Sequence, residues 1–509
     1  HHAWRHHSRS RPYCIPHHRW FVHGGNCRVD RFLFASRCRN SPRGQRTRRA
    51  KQLSTTADLV VRNARLVATV DDQRREIAGG WVAITNGLIS GVGTSGTEPT
   101  AARVIDATDC LVTPGLVNTH HHMYQNLTRA FPPMTNAALF GWLKTLYPLW
   151  STLDEESAHV SAWVGLAELA LSGCTTSTDH LYVHPKGGGD LLSAEIAAAA
   201  DLGMRFHPTR GSMSLSEKDG GLPPDNVVQD HDVILAESQL AVEKHHDAKH
   251  GAMVRIALAP CSPFSVTKQL MIESAQLAEK LDVRLHTHFA ENSEDDDYSL
   301  ATFGCRPTDY LEEVGWCTDR AWVAHCVMPN EDEVQRLGKA HIGVAHCPSS
   351  NMILASGISP VVSLRAAGVH VGLGVDGSSS ADSASMWLEA RQAMLLAKLR
   401  DGAAAGTARM SLEIATRGGA GCLGRIGEIG EISVGAVGDL AVWSLTGPSF
   451  AGAIADPIEA WLRCGPTGAK HTIVQGRSIV DNGLLVSTKV DAMLAQHRVL
   501  AQRMQRLVG

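Results

Sequence analysis

Residues 120–122 are three consecutive histidines, set directly behind the apolar run LVTPGLVN. In an extended strand, residues i and i+2 project to the same face. His120 and His122 can therefore grip one cation while His121 points elsewhere. Taken alone, a His-x-His pair also suits a polar, solvated strand end. A second run shifts the balance: LHTHFAEN, residues 285–292, brings His286, His288 and Glu291 to what reads as another strand end. Imidazoles suit zinc or ferrous iron, and a hydrolytic ion keeps one position open for water. A carboxylate beside the ion but off it can carry protons, a role that fits Glu291. His286 reads as a core histidine or as one standing behind the ligands. VAHCV supplies His325, and VGLGVDGSSS supplies Asp376.

The same late stretch spells G-x-G-x-x-G through Gly372, Gly374 and Gly377. A dinucleotide site would place that pattern in a strand–helix–strand unit with an acid about twenty residues further on. Here it falls late in the chain, and Asp376 sits inside it. A nicotinamide site is discounted, and the glycines are expected to let the backbone turn tightly around the aspartate.

These residues need a scaffold that gathers distant strand ends. Residues 114–425 alternate short apolar runs with helix-length stretches, among them 157–172, 192–202, 268–281, 330–340 and 383–400. Strand–helix repetition over that length predicts an α/β fold with a closed (β/α)8 TIM-type barrel. Strand ends converge on one face of such a barrel. That face would collect His120, His122, Asp179, Arg210, His288, His325, His346 and Asp376. On either side, residues 56–113 and 430–488 show alternating short strands with Asn-Gly turns, read as antiparallel pairing within one small β-sandwich built from both ends. The barrel is assigned to 114–429 and a terminal helix to 489–509.

The 509 residues exceed one ordinary core, and composition is globular, with 44% hydrophobic and 19% charged residues. No apolar run reaches the ~18 residues that a membrane span needs, so no membrane partner is expected. The net charge of −3 conceals an asymmetry: residues 1–53 hold thirteen Lys/Arg against Asp30 alone, leaving 35 basic and 50 acidic residues in the rest. An acidic body argues against nucleic acid as a partner. Residues 1–55, rich in Arg, His and Trp, read as an N-terminal extension, either disordered or an artefact of read-through upstream of the true start. The twelve cysteines are scattered without a Cys-x-x-Cys pair, which points to reduced thiols and a cytoplasmic setting.

PGLVNTHHH, HTHFAE, AHC and GLGVDG, in that order, resemble the amidohydrolase superfamily in its cytosine/guanine deaminase and chlorohydrolase branch. The resemblance runs from about residue 57 to 490 and includes VGAVGDLAVW and VQGRSIVDNG. It implies one divalent ion, zinc first and iron as the alternative, on His120, His122, His288 and Asp376. It also implies proton handling by Glu291 and His325, with Asp376 taking part. Two-metal relatives use a carboxylated lysine from a middle strand; VRIALAPCSPF has no lysine at its end, in keeping with a single ion. A narrower resemblance, in HHHMYQNLTRAFP and HPTRGSMSLSEKDGGLPPDN, is to 8-oxoguanine deaminases and to neighbours that hydrolyse hydroxylated s-triazines. By that analogy Gln125 and Arg210 hydrogen-bond a nitrogen-rich ring. Arg210 is read equally well as a salt bridge anchoring the 211–226 loop. The aromatic stretch FGWLKTLYPLW, residues 140–150, either walls the pocket or packs as a plain helix.

The implied activity is hydrolytic deamination of an oxidised purine, 8-oxoguanine foremost. Guanine deamination and triazine amino- or chlorohydrolysis are the near alternatives, and a non-catalytic barrel is the distant one. The partner is then a small heteroaromatic amine, and the chain is expected to form a homo-oligomer, a dimer or larger.

Overall fold

The computed structural model describes residues 56–508. The extension expected at residues 1–55 lies outside the described residues.

Eight strand positions follow one another along the chain: β1 (Leu116–Asn118), β2 (Cys174–Ser177, resuming at His180–Leu181), β3 (Arg205–Phe206, resuming at Thr209–Ser212), β4 (Ala257–Pro260), β5 (Arg284–Phe289), β6 (Ala321–His325), β7 (Gly343–His346) and β8 (His370–Leu373). Each pairs in parallel with the next. β8 returns to β1 through Leu373 and Asn118, so the sheet closes into the expected (β/α)8 barrel. The strands read as continuous apolar runs because both faces are covered, by side chains inside and helices outside. β3 is interrupted at Pro208, which has no N–H to give to the ladder.

Helices form at the expected places: Glu155–Leu171, Leu191–Leu202, Lys268–Leu281, Glu331–Lys339 and Met386–Asp401. Their starts are set by side-chain caps. Asp154 and Asn330 each close a capping box, and Thr267 accepts from the amide of Leu270. A C-terminal helix spans Val490–Gln505.

The remaining strands form one nine-stranded sheet drawn from both ends of the chain. Cys110–Pro114 pairs antiparallel with Leu440–Ser444 and so joins the two contributions. The antiparallel expectation for the first segment needs a correction. Ala57–Ala68 runs antiparallel to Glu76–Thr85 but parallel to both Ala101–Asp106 and Cys110–Pro114. Alternating burial reports that a strand has two faces, not which way its neighbour runs. Leu59, Val61, Val82, Ile84, Val112, Leu440 and Val442 form the core of this sheet.

Barrel closure positions the chemistry. Beyond the last β8–β1 pair, the chains continue in register as a short parallel bridge between His121–His122 and Asp376–Gly377. The Asp376 amide donates to the carbonyl of His120 at 3.1 Å.

Candidate functional site

Four donor atoms converge at the end of β1, β5 and β8. His120 Nε2 lies 3.2 Å from Asp376 Oδ1, His122 Nε2 lies 3.3 Å from the same oxygen, and His122 Nε2 lies 3.1 Å from His288 Nε2. Donors about 2.0–2.2 Å from one tetrahedral ion stand roughly 3.3–3.5 Å from each other, close to this spacing. The rings are aimed by their second nitrogens. His122 Nδ1 lies 2.8 Å from the carbonyl of His180, and His288 Nδ1 lies 2.6 Å from that of Cys261. A carbonyl can only accept, so each Nδ1 carries the proton and each Nε2 presents a lone pair. His120 Nε2 is buried, and among the described residues it faces only this cluster. Among the described residues, His120, His122, His180 and His288 form one group, and His120, His325 and Asp376 another, whose donor atoms lie close enough together to hold a metal ion.

Electrostatics agree. Burial holds His120 well below the usual histidine range, lowers His122, and pushes His288 down to about 3, so all three are neutral. Burial would raise Asp376, but the imidazoles around it, His120 first and then His325 and His122, hold it well below the usual carboxylate range. Neutral imidazoles and an ionised carboxylate are the forms that bind a cation.

Glu291 and His325 stand beside this cluster. His325 Nε2 lies 3.6 Å from Glu291 Oε2. Burial raises Glu291 to about 7 despite the opposing charge of His325. Burial alone would lower His325, but Glu291 and Asp376 outweigh it and raise the imidazole. Two of the site residues hold left-handed backbone: His325 has φ 71° and Asp376 φ 59°. The left-handed region costs a non-glycine residue about 1–2 kcal/mol, and at the barrel rim it turns both side chains inward.

The cavity above the cluster is bounded by His122, Gln125, Glu291, His325 and Asp376. Leu139, Trp142, Leu143 and Tyr147 of the helix Leu139–Trp150 cover it, so the aromatic stretch does wall the pocket. Gln125 is buried, and its Oε1 finds no partner among the described residues.

The other strand-end residues divide. His121 points away and packs toward Gly165. Arg210 does not line this cavity. Its guanidinium meets Glu237, Gln229 Oε1 at 2.6 Å and the carbonyl of Gly211. Arg210 thus forms an ion pair, as its alternative reading expected, but with Glu237 of the helix His231–His245 rather than with an acid of the 211–226 loop, on an outer cleft with His184 and Lys244. Asp179 accepts from the amide of Met123 at 2.6 Å and faces Glu195 in the core. His346 is buried, and its Nδ1 finds no partner among the described residues.

Sequence reasoning missed His180. Its carbonyl fixes His122, its ring stacks on His288 at 4.8 Å, and its Nδ1 falls within the imidazole cluster. A single histidine without an i+2 partner carries no spacing signal. The glycine pattern also has a different cause from the turn expected. An added Cβ would lie 2.6 Å from the Cβ of His120 at Gly374 and 1.7 Å from Gln125 Oε1 at Gly377. Gly374 permits close approach of the last strand to the His120 segment, Gly377 leaves room for the Gln125 side chain, and Asp376 itself takes the left-handed turn.

The sequence profile of the Amidohydrolase family matches residues 111–479. The chain is 47% identical over 428 residues to 8-oxoguanine deaminase of Pseudomonas aeruginosa, covering 84% of this chain and 95% of that one. It is 33% identical over 433 residues to hydroxydechloroatrazine ethylaminohydrolase of Pseudomonas sp. strain ADP, covering 84% and 86%. The structure superposes on the crystal structure of atrazine chlorohydrolase TrzN from Arthrobacter aurescens TC1, complexed with zinc. The TM-score is 0.83 at 32% identity, over 87% of this chain and all of that one.

Proposed function

We propose that the chain, which belongs to the amidohydrolase family, is a metal-dependent aminohydrolase that removes the exocyclic amino group of an oxidised purine, 8-oxoguanine foremost, as ammonia. The observation that carries this reading is the convergence of His120, His122, His288 and Asp376 beside a protonatable Glu291 under one covered cavity. The 47% identical deaminase supplies the substrate class.

The four donors would hold one divalent ion, zinc as the first choice and iron as the second. When bound, that ion supplies the Lewis acidity that makes water nucleophilic near neutral pH. Glu291, whose carboxyl burial raises above the usual carboxylate range, accepts a proton from the attacking water and returns it to the departing nitrogen. His325, drawn toward its charged form by Glu291 and Asp376, stabilises negative charge that develops on the ring. Asp376 accepts the second proton of the water. One C–O bond forms, one C–N bond breaks and ammonia leaves; the proton held by Asp376 passes to the ring nitrogen that took up the charge, and the ring gains a carbonyl. Gln125 offers a free amide oxygen to a ring N–H, and the covering aromatics hold the ring flat.

A triazine amino- or chlorohydrolase is the second reading, favoured by the 33% identical ethylaminohydrolase and the fit to TrzN. Substrate loss, with ammonia as the co-product from 8-oxoguanine or guanine and an alkylamine from hydroxyatrazine, measured on protein of known metal content, separates the two. The expected result is 8-oxoguanine ahead of guanine by about tenfold or more in kcat/KM. Turnover of the triazine alone would replace the first reading by the second, and inertness toward all three would leave a non-catalytic barrel. Among the described residues no helix is long and apolar enough to cross a membrane, and the nine cysteines there are unpaired. Both fit a cytoplasmic enzyme, and light scattering tests for the homo-oligomer.

A further inference from the structure

The segment after β7, residues 350–356, carries none of the metal donors and neither member of the Glu291–His325 pair, yet it touches two of these groups and reaches a third through Ser380. Asn351, fully buried on the short helix Pro348–Ile353, places Oδ1 2.9 Å from His325 Nδ1. Its carbonyl accepts from the amide of Ser356 at 2.8 Å, and the Ser356 hydroxyl reaches Glu291 Oε1 at 3.4 Å. One residue earlier, the Ser350 hydroxyl donates to Ser380 Oγ at 3.0 Å, and that hydroxyl lies 3.3 Å from Asp376 Oδ2.

We propose that Asn351 is a positioning residue that fixes the His325 imidazole through Nδ1, and that residues 350–356 are the shared brace for His325, Glu291 and Asp376. An amide oxygen facing Nδ1 requires the proton on that nitrogen and turns Nε2 toward Glu291. His325 sits in the left-handed region, with Nε2 facing Glu291 at 3.6 Å, and the Asn351 contact holds the ring from its other nitrogen. Because Asn351 also orders Ser356, a single side chain and its own carbonyl hold both members of the Glu291–His325 pair in register. The arrangement parallels the way a third group orients a general base in hydrolases that use an activated nucleophile. The claim that this matters to turnover rests on the aminohydrolase reading; the claim that Asn351 holds the ring does not.

The test uses Asn351→Leu, which removes the acceptor at similar size, and Asn351→Asp, which keeps it. Each is made in the parent and in His325→Gln. Asn351→Leu should lower kcat about 10- to 100-fold, with KM and metal content near parental values. Asn351→Asp should recover most of that loss, and Asn351→Leu should cost little further in His325→Gln. An equal loss in both backgrounds, or none in the parent, overturns the proposal. A second readout needs no substrate: the His325 Nδ1 proton resonance, identified by its absence in His325→Gln, should disappear in Asn351→Leu and persist in Asn351→Asp. Its persistence in Asn351→Leu refutes the contact even if no substrate is found. Its selective loss upholds the contact even if the deaminase reading fails.

Discussion

His286 stands directly behind His120: its Nε2 lies 2.7 Å from His120 Nδ1, and its own Nδ1 lies 2.9 Å from the carbonyl of Trp322. The carbonyl fixes the proton on His286 Nδ1. His286 Nε2 must then accept from His120 Nδ1–H, which leaves His120 Nε2 as a lone pair facing the cluster. A backbone carbonyl on β6 thereby sets the tautomer of a donor on the β1 extension, through a residue on β5.

Replacing His286 should therefore weaken metal binding without touching the ion. His286→Phe, which keeps the ring packed on Trp322 at 4.5 Å, is expected to cost about 10- to 100-fold in metal affinity. Competition with a chelator, read by metal analysis, checks this. Metal retention equal to the parent protein would show that His120 needs no partner.

Glu291→Gln keeps the shape of the side chain and removes its proton chemistry. Metal content should be unchanged, and kcat should fall by about 10²–10⁴-fold. The parent enzyme needs Glu291 ionised to accept a proton, so kcat/KM should rise with pH through the Glu291 pKa. That pKa is about 7 before a cation is counted, and a bound cation pulls it down. The acid limb should thus fall between the ordinary 4.5 and 7 and vanish in the residual activity of Glu291→Gln.

Much of this site was legible in the chain because its members come in short, spaced pairs. His120 with His122 and His288 with Glu291 each announce a strand end, and β1 and β5 deliver them to one point. What stayed hidden depends on three-dimensional closure. His180 and Asn351 look like any lone histidine or loop asparagine, and they gain meaning only when β2 lies beside β1 and β7 beside β6. The glycines at 374 and 377 mimic a nucleotide loop because close backbone approach demands the same residue whatever approaches. The direction of the pairing between Ala57–Ala68 and Ala101–Asp106 was likewise invisible, since burial alternates identically in parallel and antiparallel partners.

Arg210 separates an anchor from a substrate contact. Its guanidinium is 3% exposed while its partner Glu237 is 45% exposed. Glu237→Ala leaves a buried cation short of one acceptor and should lower stability by about 1–3 kcal/mol. KM should stay within about twofold, since Arg210 does not border the cavity. A KM rise well beyond that, with unchanged thermal midpoint, would return Arg210 to the ring.

The Asp179–Glu195 pair predicts an alkaline weakness. Both carboxyls are buried, and the shortest route out of the conflict is one shared proton. Burial raises Asp179 to about 8, and burial with the Asp179 charge raises Glu195 well above its usual range. A carboxyl whose folded pKa lies above its unfolded value holds a proton that the unfolded chain has lost. Stability therefore falls as pH rises from about 4 toward 8, by at most about 1.4 kcal/mol per pH unit for each proton so held. Asp179→Asn keeps an acceptor for the Met123 amide and supplies a permanent donor to Glu195. Its thermal midpoint should match the parent at pH 5 and exceed it at pH 8.5. A parallel decline of both proteins over that range would mean that the pair holds no shared proton and that Met123 is fixed by an ionised Asp179.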